Sequence, residues 1–254
     1  KRNIYKNIER MMDVDLSRHI SVFNPAAVKH DIHIIGVGAT GSFVAMMFAR
    51  MGVPVINIYD FDDVEIHNIP NQYYDNGDLG KLKAEALADK LRLINPNITV
   101  NVGKEAVTPE DVSKMSGYLF SLVDSMKVRK ELWEAAKANV NIINVWESRL
   151  GSDQARVYSL PIEEGKDYSR YEQDFYDDDQ AEVSACGTSI TVLPVVMQTA
   201  SLMIVQFIDL VMDNPVIPHF KTIFDNHYNK YEEDLEITTG LGESEPELII
   251  DDIL

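Results

Sequence analysis

The sequence predicts an α/β fold, with a doubly wound and mainly parallel sheet followed by a C-terminal extension of mixed strands. Two observations carry this prediction. Between residues 31 and 145, short β-branched runs alternate with helical patterns, which is typical of parallel strands joined by crossover helices. A glycine-rich turn directly follows the first of these runs and opens a helix. With 254 residues, 45% of them hydrophobic, the chain is long enough to bury a large core.

The first half is expected to contain five strands and two clear helices. One helix, Gly41–Met51, carries apolar residues at helical spacing, and Lys81–Leu93 repeats this pattern. The second helix should end at the Ile-Asn-Pro sequence of residues 94–96, because proline disfavours the α region for the residue before it. The five expected strands are Ile32–Ile35, Val55–Tyr59, Ile98–Val102, Tyr118–Val123 and Asn141–Val145.

The pattern changes after residue 145. We expect a strand at Arg156–Leu160, an acidic crossover at Pro161–Glu182, a long apolar helix at Thr188–Asp213 and a last strand at Phe220–Asp225. The apolar run is long enough to cross a membrane, but Asp209 and other polar residues interrupt it. A core helix and no membrane association are therefore expected.

Three segments follow from this organisation: an N-terminal arm or helix at residues 1–30, a single domain at 31–230, and an acidic tail at 231–254. The domain consists of a first half, residues 31–145, and a second part, residues 146–230, which holds the crossover, the long helix and the last strand. The tail contains nine acids and no Lys or Arg, a composition typical of a solvated segment.

Charge and cysteine content exclude several classes of function. The formal net charge is −18, which disfavours binding to nucleic acid. The crossover contributes −7 and the tail −9, so the rest of the chain is nearly neutral. The single cysteine, Cys186, excludes an internal disulfide and a paired-cysteine zinc site, so no zinc is expected. No signal peptide is visible at the start of the sequence, and a reducing cytoplasmic location is expected.

The glycine-rich turn indicates a nucleotide site. Residues 36–41 read Gly-Val-Gly-Ala-Thr-Gly, and the glycines Gly36, Gly38 and Gly41 permit a tight turn in which N–H groups approach phosphate. Asp60, 24 residues beyond Gly36, ends the second strand, where a carboxylate can accept hydrogen bonds from ribose hydroxyls. Residues 31–145 are therefore interpreted as a Rossmann-like nucleotide-binding half. At this point an NAD-dependent dehydrogenase remains open.

The sequence after Asp60 resembles a known family. Residues 60–72 read Asp-Phe-Asp-Asp-Val-Glu-Ile-His-Asn-Ile-Pro-Asn-Gln, similar to the Asp-x-Asp-x-Val-x-x-x-Asn-x-x-Arg-Gln signature of the ThiF/MoeB/HesA family of ubiquitin-activating-type adenylyltransferases. Residues 67–72 together with residues 146–151, which read Trp-Glu-Ser-Arg-Leu-Gly, look more like the stand-alone bacterial and phage members of this family. Further matches occur in the family's order, and together they cover about residues 13 to 212: Ser17-Arg18-His19, the glycine turn, Gly80 to Lys83, Ile94-Asn95-Pro96, Asp124 with Arg129, and Cys186 eight residues before Pro194.

The resemblance implies adenylation of the C-terminal carboxylate of a small ubiquitin-like or sulfur-carrier protein that ends in glycine, with ATP and Mg²⁺ as cofactors. Asp124 would hold the metal, Lys83 would neutralise charge on phosphate, and Asp60 would hold the ribose. Asn68 and Gln72 would donate to phosphate or substrate, and Asp62 and Asn71 complete the expected nucleotide contacts. Arg18 would reach into the site of a second subunit, which implies a homodimer. Cys186 would accept the acyl group as a thioester or persulfide.

Some alternatives stay open. Asp124 could instead cap the following helix, Arg129 could be structural and paired with an acid, and Cys186 could be a small buried hydrophobe. Asn71 stands where the family signature has Arg, which removes one fixed positive charge. Either Arg18 and Lys83 suffice, or Arg149 substitutes, or the protein is a nucleotide-binding scaffold with weak catalysis. A tRNA-modifying cyclic dehydratase is a further alternative within the same family.

Overall fold

One eight-stranded sheet organises the protein, in the strand order β3-β2-β1-β4-β5-β6-β7-β8. The structure is a computed structural model that describes residues 14–151, 154–177, 191–214, 220–225 and 230–233. The first five strands are parallel, and β6, β7 and β8 are antiparallel to their neighbours. The predicted α/β class is confirmed, with a parallel sheet first and mixed strands after it. The strands are β1 (Ile32–Ile35), β2 (Val55–Tyr59), β3 (Thr99–Gly103), β4 (Gly117–Ser121), β5 (Ile142–Leu150), β6 (Gln154–Pro161), β7 (Phe220–Asp225) and β8 (Lys230–Glu233).

Six α-helices lie among the described residues: α1 (Ala39–Arg50), α2 (Lys83–Ile94), α3 (Pro109–Lys114), α4 (Met126–Lys137), α5 (Ser169–Glu172) and α6 (Leu193–Val211). We expected α1, α2, α6 and a helix after Asp124, which is α4; the observed ends of α1, α2 and α6 differ from the expected ones by a few residues. The helix α3 was not predicted, although Thr108 caps it in a capping box with Asp111 and Pro109 occupies its first turn.

The strand β5 is longer than we predicted. It was expected to stop at Val145, but it continues to Leu150 because residues 144–150 pair with β6 in an antiparallel hairpin. Glu147 pairs with Ser121, the last residue of β4, so Ser148 and Arg149 extend beyond the carboxyl end of the parallel strands. Both residues have polar side chains, which are not typical of a buried strand, yet both are buried.

Two apolar clusters cover the two faces of the sheet. On one face, Phe207 of α6 packs against Phe48 of α1 and Phe120 of β4, with ring centroids 4.9 and 6.2 Å away. On the other face, Trp133 of α4 packs against Tyr171, at 4.8 Å. By length and composition alone, α6 could cross a membrane. In this fold it supplies fully buried side chains to the core, as expected of a core helix.

The C-terminal part differs from the prediction at one point. The strand β7 occupies the predicted residues, but it is not the last strand, since β8 pairs with it. Residues 231–233, which we assigned to the acidic tail, therefore belong to the sheet. Strand pairing uses main-chain N–H and C=O groups, so an acidic composition does not prevent it at an edge.

The strand order sets where a ligand can bind. The strand β1 has β2 on one side and β4 on the other, so the crossovers leave it in opposite directions. In open α/β sheets, ligands bind outside the carboxyl ends of the strands at such a switch point.

Candidate active site

The glycine turn after β1 needs two of its glycines for steric reasons. Gly36 has φ +86°, and a Cβ there would lie 2.7 Å from the main-chain oxygen of Leu122. A Cβ on Gly41 would lie 2.0 Å from the main-chain oxygen of Gly36. Gly38 differs, because a Cβ there would meet only the Gln72 amide, at 3.8–3.9 Å. The first N–H groups of α1 lack intrahelical partners, and Gly38 provides no side-chain cap, so this end of the helix suits an anion.

Asp60 fixes the shape of this turn. Its Oδ2 accepts a hydrogen bond from the Val37 N–H at 2.8 Å, and its Oδ1 accepts one from the Asp62 N–H at 2.9 Å. Burial raises the pKa of Asp60, while these two hydrogen bonds oppose the rise. The carboxylate that we predicted to hold ribose is thus bonded to the chain's own main chain at the edge of the site. Its contact with ribose stays a prediction.

Lys83 and Asp62 form an ion pair beside the turn. Lys83 Nζ lies 2.9 Å from Asp62 Oδ2, and the Lys83 side chain is 10% exposed against 53% for Asp62. The main chain brings the two residues together as well, because Lys83 N–H donates to the Asp62 carbonyl at 2.8 Å. The amino group is therefore held at a fixed point next to a carboxylate that remains open to solvent.

Tyr74 is a supporting residue that the sequence did not reveal. Its hydroxyl donates to the Val37 carbonyl at 2.8 Å and lies 3.3 Å from the carbonyl of Lys83. The side chain is 5% exposed, and burial raises the pKa of its hydroxyl. Tyr74 thus ties the glycine turn to the start of α2. A tyrosine just after the signature gave no signal of this role.

The signature residues lie in the loop between β2 and α2. Asn68 is buried, and its Oδ1 accepts from the Glu65 N–H at 2.8 Å, which closes a capping box. Gln72 places its amide beside Gly38, and its buried Oε1 has no hydrogen-bond partner among the described residues. Asn71 is half-buried in the same loop. Gln72 therefore offers an unsatisfied polar group directly at the glycine turn.

Asp124 lies beyond the carboxyl end of β4, in the loop before α4, and it is exposed. Ser125, and not Asp124, caps α4, since its side chain accepts from the Val128 N–H at 3.3 Å. Within the described ranges, the Asp124 carboxylate has no hydrogen bond or ion pair. The described residues contain no cluster of three or more potential metal-ligating side chains. One free carboxylate nevertheless suits Mg²⁺, which commonly binds through one or two carboxylates together with substrate phosphates.

Arg129 has a structural role, as the alternative reading expected. It is buried, and its Nη1 donates to Glu147 Oε1 and, at 2.7 Å, to the Ser148 carbonyl. Its Nη2 donates to the Val123 carbonyl, directly before Asp124. Arg129 therefore joins the loop that carries Asp124 to the extended end of β5.

Arg18 is not near the glycine turn of its own chain. It is exposed on the turn at residues 17–22, next to Leu16, which packs against Gly52 at the C-terminal end of α1. The glycine turn lies at the other end of α1, and a 12-residue helix is about 18 Å long. Cys186 lies outside the described residues.

The structure therefore brings most of the predicted site residues to one edge of the sheet. The glycine turn, Asp60, the Lys83–Asp62 pair and Gln72 surround the end of β1 and β2, and Asp124 lies beyond β4. This edge combines N–H groups, one fixed ammonium group and one free carboxylate. Such a set can bind a nucleotide and stabilise charge that develops on phosphate oxygens.

Comparisons with known proteins show the family and the fold of the chain. A model of the ThiF family matches residues 24–239. A tRNA threonylcarbamoyladenosine dehydratase of Haemophilus influenzae is 33% identical over 120 residues, which cover 45% of this chain and 46% of that protein. Ubiquitin-like modifier-activating enzyme 5 of Caenorhabditis elegans is 35% identical over 80 residues, 32% of this chain and 19% of that one. This chain thus spans less than half the length of either relative.

A solved structure, that of Escherichia coli MccB with ATP, superimposes with a TM-score of 0.66 at 18% identity, and the match covers 82% of this chain and 64% of that chain. At this identity the likeness concerns the fold. The family match extends over most of the chain, from just before β1 to just after β8, and includes the whole sheet. The chain belongs to the ThiF family.

Proposed function

We propose that this protein is an ATP-dependent adenylyltransferase that activates the C-terminal carboxylate of a small ubiquitin-like or sulfur-carrier protein. One observation carries the proposal: a buried, fixed Lys83 ammonium group lies beside the glycine turn after β1, whose N–H groups are open, and a free Asp124 carboxylate lies beyond β4, the strand next to β1. A nicotinamide dehydrogenase would need neither Lys83 nor Asp124 at these positions.

The chemistry assigns a task to each group. The acyl carboxylate attacks the α-phosphorus of ATP, an acyl–phosphate bond forms, and the bond to pyrophosphate breaks. Negative charge builds on the phosphate oxygens, and the Lys83 ammonium group and the N–H groups of α1 stabilise it without reorganising. Gln72 orients a phosphate or substrate group beside Gly38. Asp124 would hold Mg²⁺, which supplies charge neutralisation of the leaving pyrophosphate.

Two further parts of the proposal concern residues beyond this edge. Because Arg18 lies far from its own glycine turn, it would serve the site of a second subunit in a homodimer. Cys186 would accept the activated acyl group as a thioester. MccB with ATP and ubiquitin-like modifier-activating enzyme 5 support the nucleotide and the class of partner, respectively.

A second candidate is cyclic dehydration of a modified tRNA nucleoside, which also adenylates a carboxylate. The relative in Haemophilus influenzae favours it. The net charge of −18 opposes it, because tRNA binding needs a basic surface.

Exchange of radioactive pyrophosphate into ATP tests the proposal. Exchange that depends on a candidate carrier ending in Gly-Gly supports the main function, and exchange that depends on threonylcarbamoyl-modified tRNA supports the second. ATP binding without exchange under either condition would identify a nucleotide-binding scaffold, in keeping with Asn71 in place of arginine, and would reject the main proposal.

A further inference from the structure

Arg149 lies in a cage of aromatic rings at the extended end of β5. Its guanidinium carbon is 4.8 Å from the ring centre of Tyr158, 5.4 Å from that of Tyr171 and 5.1 Å from that of Phe175. Guanidinium groups bind aromatic faces at these distances. The residue is 7% exposed, so three rings and the sheet hold this cation almost out of water.

The hydrogen bonds of this guanidinium are incomplete. Its Nη1 donates to the main-chain oxygen of Asp174. Its Nε lies 3.5 Å from Glu147 Oε1 without a hydrogen bond, and its Nη2 has no partner among the described residues. A buried charged donor without a partner is costly, and such groups in native proteins usually have a ligand, ion or water partner.

The described acids nearby do not balance the charge. Glu147 is the carboxylate between Arg129 and Arg149, and it is hydrogen-bonded to Arg129. The carboxylate of Asp174 accepts from the Tyr158 hydroxyl at 2.8 Å and lies 3.7 Å from Arg156. In this part of the described structure, three guanidinium groups therefore share two carboxylates, and two of the three, those of Arg129 and Arg149, are buried.

The strand end that carries Arg149 lies beside both halves of the site. Ser148, the residue before Arg149, places its Oγ 3.4 Å from Thr40 Oγ1 in the first turn of α1. Arg129 binds Glu147 and the Val123 carbonyl next to Asp124. Arg149 thus stands on the same edge as the glycine turn and Asp124, on the strand beyond β4.

We propose that Arg149 is an anion-binding residue whose buried Nη2, which lacks a hydrogen-bond partner among the described residues, donates to an oxyanion, a carboxylate or a phosphate, at the carboxyl end of β5. The cage fixes the plane of the guanidinium group, so its donors are oriented before the anion arrives. A cation at this position also offsets the charge lost with Asn71. Only the identity of the anion rests on the proposed function: the acyl carboxylate or a phosphate of the nucleotide.

Calorimetric titration of the full chain tests this proposal with four probes: N-acetyl-Gly-Gly, its C-terminal amide, inorganic pyrophosphate and ATP. The test variant Arg149→Met removes the charge and leaves apolar volume for the rings to pack against. We expect it to weaken at least one anionic probe about tenfold, a typical loss for a charge-assisted contact. Loss confined to N-acetyl-Gly-Gly identifies a carboxylate, and loss confined to pyrophosphate and ATP identifies a phosphate.

The matched control is Arg156→Met, which removes an equal charge from a half-exposed arginine outside the cage. Its Kd values should stay within about threefold of wild type, as expected for a solvent-screened charge. If Arg149→Met does not fold, Arg149→Lys replaces it, because an ammonium group keeps the charge but not the planar fork. Unchanged affinity for every anionic probe, or an equal effect of Arg156→Met, overturns the proposal.

Pyrophosphate exchange measured on the same proteins separates the two proposals. If the wild-type protein binds an anionic probe through Arg149 but never exchanges pyrophosphate, the binding proposal stands and the adenylation proposal is wrong. If the wild-type protein exchanges pyrophosphate in the presence of a carrier and Arg149→Met binds every probe normally, the adenylation proposal stands and the binding proposal is wrong.

Discussion

At the scale of single residues, the ion pair between Lys83 and Asp62 fixes the position of a buried positive charge in the candidate site. Burial of a charged amino group removes water from around it, which costs free energy. Because less water then screens the charge, it attracts a nearby phosphate more strongly. Asp62, half exposed, compensates Lys83 when no nucleotide is bound. In the function that we propose, a bound phosphate would replace Asp62 as the partner of Lys83, so the buried ammonium group would keep an anionic partner.

Substitution of this lysine should therefore remove catalysis more than folding. We expect Lys83→Ala to lower pyrophosphate exchange by about 10²–10³-fold, the usual effect of losing one charge-stabilising group. The matched control is Lys81→Ala, since Lys81 is in the same loop but is 54% exposed and pairs with Asp78. Exchange by Lys81→Ala should stay within about threefold of wild type. Equal losses of exchange in the two variants would show that Lys83 contributes only to the net charge of the protein and makes no specific contact with phosphate.

At the scale of elements, the glycine turn contains one glycine that the fold requires, Gly36, and another, Gly38, that we expect to matter for binding. Gly36 has a positive φ and lies against the Leu122 carbonyl, whereas a Cβ on Gly38 would make only ordinary contact with the Gln72 amide. The two glycines of one motif thus differ in what they contribute. Gly36 is needed to build the turn, and we expect Gly38 to leave room for a bound phosphate.

Alanine at each position should show this difference. We expect Gly36→Ala to lower the free energy of unfolding by more than about 2 kcal/mol, because backbone strain adds to a steric clash. Gly38→Ala should change it by less than about 1 kcal/mol but weaken ATP binding, since its methyl group would occupy the phosphate approach. Urea denaturation and calorimetry measure the two effects. Tight ATP binding by Gly38→Ala would contradict this assignment of the site.

Much of the parallel sheet and its glycine turn could be predicted from the sequence, because alternation, proline and glycine act locally. The predicted β1 and β2 have the observed limits, and Asp60, Lys83 and Asp124 stand at the predicted edge. The hairpin of β5 and β6 and the pairing of β8 depend on contacts between distant main-chain groups. A polar run such as Glu147 to Arg149 becomes a buried strand end only when β6 pairs with it.

The role of Tyr74 and the aromatic cage of Arg149 were hidden for the same reason, although the sequence did indicate Arg149 as a cation that could substitute for the arginine replaced by Asn71. A tyrosine hydroxyl that reaches Val37, 37 residues away, leaves no periodic pattern in the sequence. The rings around Arg149 come from β6 and from the crossover, on or beside α5. Sequence proximity predicted neither contact, whereas the family resemblance did indicate the residues of the signature loop.

At the scale of the whole molecule, the role that we propose for Arg18 would make the site dependent on a second copy of the chain. Arg18 lies at the end of α1 that is remote from the glycine turn. If it contributes to catalysis, the site it serves belongs to a partner, and in a symmetric dimer each chain completes the other. The exposed Ile20 and Val22 beside Arg18 are consistent with a covered surface in such a dimer.

Mixing two inactive variants tests this arrangement. Arg18→Ala and Lys83→Ala should each lose exchange, because each removes one cation from every site of a homodimer. When equal amounts are dissociated and reassociated together, about half of the dimers are mixed, and each mixed dimer has one intact site. The mixture should then recover about a quarter of wild-type exchange, since half of its dimers retain one of two sites. Full activity of Arg18→Ala alone, or no recovery in a mixture shown to contain mixed dimers, would mean that Arg18 does not act across the interface.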